Sequence, residues 1–230
     1  MSDLNVRRGT GAFGLASGVL LLAVLVLYLL AGTSPRAEDS ARFTDYVSAH
    51  SSLLLTITLL DALSAACFLV FLAGFRHLIR QAKPGNEPVS VLVFAAGIVY
   101  TVLGLVGLIF IGAAALDTVN HKPDPSVVSA LGEASTPALF AVGLIMLALF
   151  LGAVGYATSG AGVLPNWSAW VAYVGAILSL VAVPAIYAGS GPSDFYTADG
   201  FVAFLGVLAD LVWLFIAGIY LIRPGPQTAR

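Results

Sequence analysis

Two aspartates stand where the chain is otherwise apolar. Asp61 lies in LLLTITLLDALSAACFLVF, residues 53–71, and Asp210 lies about ten residues into the last apolar run. A carboxylate at the centre of a membrane helix costs about 2.5–3.5 kcal/mol on insertion scales. Both runs lead from the same side of the membrane, so at about 1.5 Å per residue the acids share a depth. Helical spacing sets Thr58, Ser64 and Ala65 on the face of Asp61, with Ser51 extending the stripe. Ala203, Gly206 and Ala217 make a small-residue stripe about Asp210, with Trp213 one turn on. Such stripes let helices approach closely. Tyr100, Thr101 and Ser179 are the hydroxyl partners expected at that depth in other runs.

Three chemistries compete for this set. In the first, each acid is buried, protonated and hydrogen-bonded to a neighbouring helix, in a protein with a structural or accessory role. In the second, Asp61 and Asp210 form a proton or cation site of a small coupled transporter, since intramembrane acids recur in such pathways. In the third, the acids serve a lipid-modifying membrane enzyme. The enzyme reading has the least support, and no catalytic residue, cofactor or metal ligand is assigned. His50, His77 and His121 fall at interfaces or in loops. The chain lacks Gly-x-Ser-x-Gly, His-Glu-x-x-His and a glycine-rich phosphate loop. Cys67 is the single cysteine, which rules out an intramolecular disulfide and argues against a cysteine-based metal site. No filter-like loop supports a channel, although an oligomer could build a ring from Asp61. Arg76, His77 and Arg80 are placed at the inner headgroup layer, where they could meet anionic lipid.

The elements that must position these residues follow from composition. Hydrophobic residues make up 59% of the 230 and charged residues only 10%, against about 45–50% and about 25% in soluble domains. So few charges cannot cover that much apolar surface in water, so lipid must be the main solvent. No basic stripe exists for nucleic-acid phosphates. Six stretches of about 20 apolar residues can cross a bilayer, at about 12–32, 52–75, 89–116, 136–157, 166–188 and 200–222. Their unbroken apolar runs exclude a barrel. The expected fold is therefore all-α, a polytopic bundle of six transmembrane helices in one domain over residues 1–230. The first run is too long for a cleaved signal and reads as a retained anchor.

Arginine and lysine set the direction. Arg7, Arg8, Arg76, Arg80, Lys83, Arg223 and Arg230 share one side, while Arg36, Arg42 and Lys122 hold the other. Both termini are thus expected in the cytoplasm of a bacterial cell. Trp167, Trp170 and Tyr220 mark the inner interface, and Tyr187, Phe195 and Tyr196 the outer one. The outer segments are acidic, with Asp117, Asp124, Asp194 and Asp199 among their residues. Phe43, Tyr46, Val47 and His50 predict a short amphipathic surface helix capped by Ser40. Asp124 and Pro125 predict the start of another, ended by Gly132. The two halves of the chain show no convincing inverted repeat.

SARFTDYVSAHSSLLLTITLLDALSAACFLVFLAGFRHLIR, with its outer Tyr and His and its ending FLAGFRHLIR, resembles a recurrent actinobacterial pattern. In words, this is a family of uncharacterised six-helix integral membrane proteins. The resemblance covers about residues 40–80 and implies no activity. The expected partner is the lipid bilayer, with a second copy or another membrane protein left open.

Overall fold

Lipid offers no partner to a free backbone amide, so a chain this apolar must satisfy its backbone inside helices. The computed structural model describes residues 3–82, 85, 87–120, 123–160, 162–189, 194–198 and 200–223, all of it helix, turn or loop, with no strand among the described residues. Lys83, His121, Lys122, Asp199 and Arg230 lie outside the described residues. The helices are α1 (Asp3–Ala31), α2 (Ser40–Ala49), α3 (Ser51–Ala82), α4 (Glu87–Asn120), α5 (Pro125–Thr136), α6 (Gly143–Thr158), α7 (Asn166–Ala182) and α8 (Phe201–Ile222). A π-turn, Pro137–Val142, joins α5 to α6, and a 3-10 turn, Val183–Ala188, prolongs α7. Six helical stretches are long and apolar enough to cross a membrane. The second, third and fourth contain the expected runs and extend past them, the first starts earlier than expected, and the fifth and sixth match to within a residue, because hydropathy marks the apolar part of a helix and not its ends.

The spans close a ring in chain order. α1 packs on α3, α3 on α4, α4 on α6, α6 on α7, α7 on α8, and α8 returns to α1. α1 begins and α8 finishes at one end of the bundle, the termini end, where Arg7 donates to the Tyr220 carbonyl at 3.3 Å. At the opposite end α2 packs on α5, with Val47 and Val128 buried in one cluster with Leu54, Ile57 and Leu108. This capped end is drawn together by Ser129, which donates to the Ala37 carbonyl. Arg36 pairs with Asp194 there at 2.9 Å, linking the segment after α1 to the one before α8. Both partners are about half exposed, so that pair contributes at most about 1 kcal/mol.

Towards the termini end, five rings fill the lumen of the ring. Phe71, Phe75 and Phe150 surround Trp213 with centroids 6.1, 5.6 and 5.9 Å away, and Phe68 meets Phe150 edge-on at 5.6 Å. Such pairs add about 0.5–1.5 kcal/mol each beyond burial.

Two expectations about helix ends are corrected. The cap of α2 is Asp39, which accepts from the Arg42 amide, and not Ser40. Either residue type can cap; Ser40 is already inside the helix, where its carbonyl accepts from Thr44 Oγ1. Asp124 does cap α5, accepting from the Ser126 amide at 2.9 Å, with Pro125 in the first turn. Gly132 does not end that helix. It is a contact point: a Cβ there would lie 2.6 Å from the Phe43 ring. The helix runs on through Thr136, and Pro137, which has no amide hydrogen and would crowd the carbonyl four residues back, is absorbed by widening to the π-turn. α5 and α6 thus form one span, Pro125–Thr158.

The helices touch where side chains are missing. A Cβ on Gly74 of α3 would collide with Thr10 Oγ1 of α1, and one on Gly11 would lie 2.8 Å from the Gly218 carbonyl of α8. Thr10 Oγ1 cannot easily swing aside, since it donates to the Val6 carbonyl at 2.8 Å. Gly74→Ala is therefore expected to destabilise the protein by about 1–3 kcal/mol, despite gaining up to about 1 kcal/mol of helix propensity. Adding Thr10→Ala should recover part of the loss, read from denaturation midpoints in detergent.

The Asp124 cap also carries a pH signature. Its two hydrogen bonds from Ser126 hold the carboxyl below its ordinary value of 3.8. A carboxyl lowered on folding stabilises above its unfolded pKa and loses that contribution as pH falls through the folded one. The melting-temperature gap between the parent and Asp124→Ala should be present near neutral pH and close as pH drops below about 3.8.

Candidate functional site

The ring brings the two acids together. α3 and α8 both start at the capped end, and Asp61 and Asp210 stand ten and nine residues past their first residues, or about 15 Å down each helix. Both line one cavity of about 70 Å³. α1 contributes Ser17 and Leu21, α3 adds Ser64, Ala65 and Phe68, α4 adds Tyr100, Thr101 and Gly104, and α8 adds Leu214. Phe68 ties the cavity to the aromatic plug on the termini side. At about 30 Å³ per water, the space takes a few water-sized occupants.

The acids differ in access. Asp210 is 2% exposed, and its Oδ1 is buried with no hydrogen-bond partner. Asp61 is half-buried. No hydrogen bond or ion pair to either carboxylate is found among the described residues. Trp213 Nε1, one turn below Asp210, is also buried without a partner. Among the described residues the cationic side chains lie at the two ends of the bundle, and none pairs with these acids.

The hydroxyls of the cavity are mostly engaged. Ser64 Oγ donates to the Ser17 carbonyl at 3.0 Å and lies 3.1 Å from Ser17 Oγ. Thr101 Oγ1 donates to the Gly97 carbonyl at 2.7 Å. Tyr100 lines the cavity with its ring packed on the main apolar core.

Of the residues singled out from sequence, Asp61, Asp210, Ser64, Tyr100 and Thr101 meet in this cavity. Thr58 and Ser179 stand elsewhere. Thr58 Oγ1 donates to the Leu54 carbonyl of its own helix and packs where α3 approaches Gly112 of α4. Ser179 Oγ donates to the Gly175 carbonyl and packs where α7 approaches Gly206 of α8. Ser17 was missed. Its signal is the spacing of Gly11, Gly14 and Gly18, which marks the contact face of the first span and puts Ser17 beside it.

The basic set lies at the termini end. The Arg76 guanidinium sits 5.4 Å from the Phe94 ring centroid, with its Nε buried and unpartnered. Arg80 pairs with Glu87 at 3.5 Å, and His77 is exposed.

Ser64→Ala removes both side-chain hydrogen bonds that join α1 to α3 beside the acids. Comparable bonds between membrane helices average about 0.6 kcal/mol and reach about 1.7. A loss of that size is expected in a denaturation series in detergent, with Ser17→Ala less harmful because the Ser64 hydroxyl still reaches the Ser17 carbonyl.

A family model described as a domain of unknown function, DUF4386, matches residues 16–218. No curated protein and no solved structure matches the chain.

Proposed function

The chain belongs to the DUF4386 family, and we propose that this member is a small proton- or cation-coupled transporter of the membrane, built around Asp61 and Asp210. One observation carries the reading: two acids face one cavity at mid-depth, and the deeply buried one has an oxygen with no protein partner among the described residues. An ionised carboxylate in such surroundings needs a proton or a cation to offset it. A purely structural acid would be expected to sit against a hydroxyl or a backbone amide. Asp210 Oδ1 has neither.

The size of the cavity narrows the occupant. About 70 Å³ suits protons, waters or a small cation, whereas pockets for organic ligands run from about 300 Å³ upward. The same figure disfavours the lipid-modifying enzyme, which needs a headgroup-sized cleft beside the acids. The cargo driven by the coupling ion would use a wider state of the ring.

In this reading the membrane is the bacterial cytoplasmic one, with both termini inside. The support is the charge asymmetry of the bundle. Arg7, Arg8, Arg76, Arg80 and Arg223 gather at the termini end, and Arg36 and Arg42 lie at the capped end. Arg76, His77 and Arg80 then face the inner headgroups.

The test is ion movement in liposomes holding a pH-sensitive dye, with a potassium gradient and an ionophore setting the voltage. The parent should acidify or alkalinise the lumen at least tenfold faster than protein-free liposomes, with or without added sodium. Asp61→Asn and Asp210→Asn should each reduce that rate to the protein-free level while melting within a few degrees of the parent. Equal rates in the parent and both variants would return the acids to a structural role.

A further inference from the structure

The sealed acid poses a question of access. Asp210 is 2% exposed and lies beside the plug, so a proton bound there cannot leave directly to solvent. Its neighbours in the cavity are mainly carbon, apart from four hydroxyls and Asp61. Three of those hydroxyls are committed. Ser64 donates to the Ser17 carbonyl, Ser17 shares the Ser64 oxygen, and Thr101 donates to the Gly97 carbonyl. The Tyr100 hydroxyl has no such bond among the described residues. It lines the same cavity as both carboxylates.

We propose that Tyr100 is the relay through which Asp210 exchanges its proton with Asp61, the less deeply buried acid of the same cavity. This rests on the proton-coupled reading of the acid pair and commits it to the proton over a metal cation. The step balances without a charged tyrosine. The Asp210 carboxyl O–H breaks as its proton passes, through a water in the cavity, to the Tyr100 oxygen. The original phenol O–H breaks in concert, and that proton ends on the Asp61 carboxylate, directly or through a water in the cavity. One proton moves, Tyr100 stays neutral, and rotation of its hydroxyl resets the relay.

The surroundings favour such a hand-off. α1 brings Tyr28 on the capped side, α3 brings Asp61, α4 brings Tyr100, and α8 brings Asp210. The tyrosines of α6 and α7, Tyr156 and Tyr173, lie towards the termini end, and no basic residue of any packed helix stands at this depth. Nothing there competes as a fixed counter-charge. Phe68 and Leu214 line the same cavity, and the aromatic plug seals the termini side. Transfer therefore runs sideways, from α8 to α3 through α4, at one depth.

The liposome assay separates the relay from the wider reading, using Tyr100→Phe and Tyr100→His. The phenylalanine keeps the ring and loses only the hydroxyl, so a packing role predicts full activity for it and damage from histidine. The relay predicts the reverse: at least a tenfold loss of proton flux with Tyr100→Phe at an unchanged melting temperature, and recovery with Tyr100→His, whose ring both accepts and donates. If Tyr100→Phe stays within twofold of the parent while Asp61→Asn and Asp210→Asn lose flux, the relay is wrong and the acid-pair reading survives. Parent flux no faster than protein-free liposomes would overturn both. Should Tyr100→Phe not reconstitute, Tyr100→Gln replaces it, since an amide hydrogen-bonds but does not pass a proton. Parent-like flux with glutamine would then overturn the relay, and flux lost with glutamine but recovered with histidine would support it.

Discussion

Apolar burial cannot hold helices together in a solvent that is itself hydrocarbon, so this bundle depends on how closely its backbones approach. Close approaches fall where a side chain is absent or small, among them Gly74 against Thr10, Gly11 against Gly218 and Gly206 against Ser179. Each lies on α1 or α8 or on a helix packed against them, and together they draw the first and last spans into a closed ring. The ring then has a lumen to fill. Its termini half is filled by Trp213 and four phenylalanines, and the acids occupy the level just beyond that filling, where side chains leave room. Close packing in one half thus makes the polar cavity in the other possible.

The spans were legible in the sequence because hydropathy over twenty residues is a strong signal and lipid permits few alternatives. The acid pair was legible for a related reason. A carboxylate stands out against an apolar run, and counting residues from a shared side gives its depth. Partners were harder. Thr58 and Ser64 both lie on the face of Asp61 by helical spacing, yet that face is wide enough to meet two different helices. Thr58 turned to α4 and bonded within its own helix, while Ser64 met α1. Ser17 escaped notice because a single serine among glycines and leucines has no individual signal; only the ring closure gives it a neighbour. Helix ends were the least legible part. Asp39 and Ser40 are adjacent capping types, and the choice between them is a matter of one residue. Gly132 looked like a terminator on composition, but its lack of a side chain serves contact with Phe43.

The π-turn at Pro137–Val142 sets the phase of the fourth span. Val128 and Leu147 are both fully buried in the bundle, nineteen residues apart. At about 100° per residue, an unbroken α-helix would leave their directions about 100° out of step. A π-turn accommodates roughly one extra residue, which takes up about that same angle. The span thus passes between two packing environments, the cap formed with α2 and the ring formed with α4 and α7, and buries side chains in both. Proline at 137 does not interrupt this span so much as splice it, and the two lengths on either side are held in register by a single residue's worth of slack.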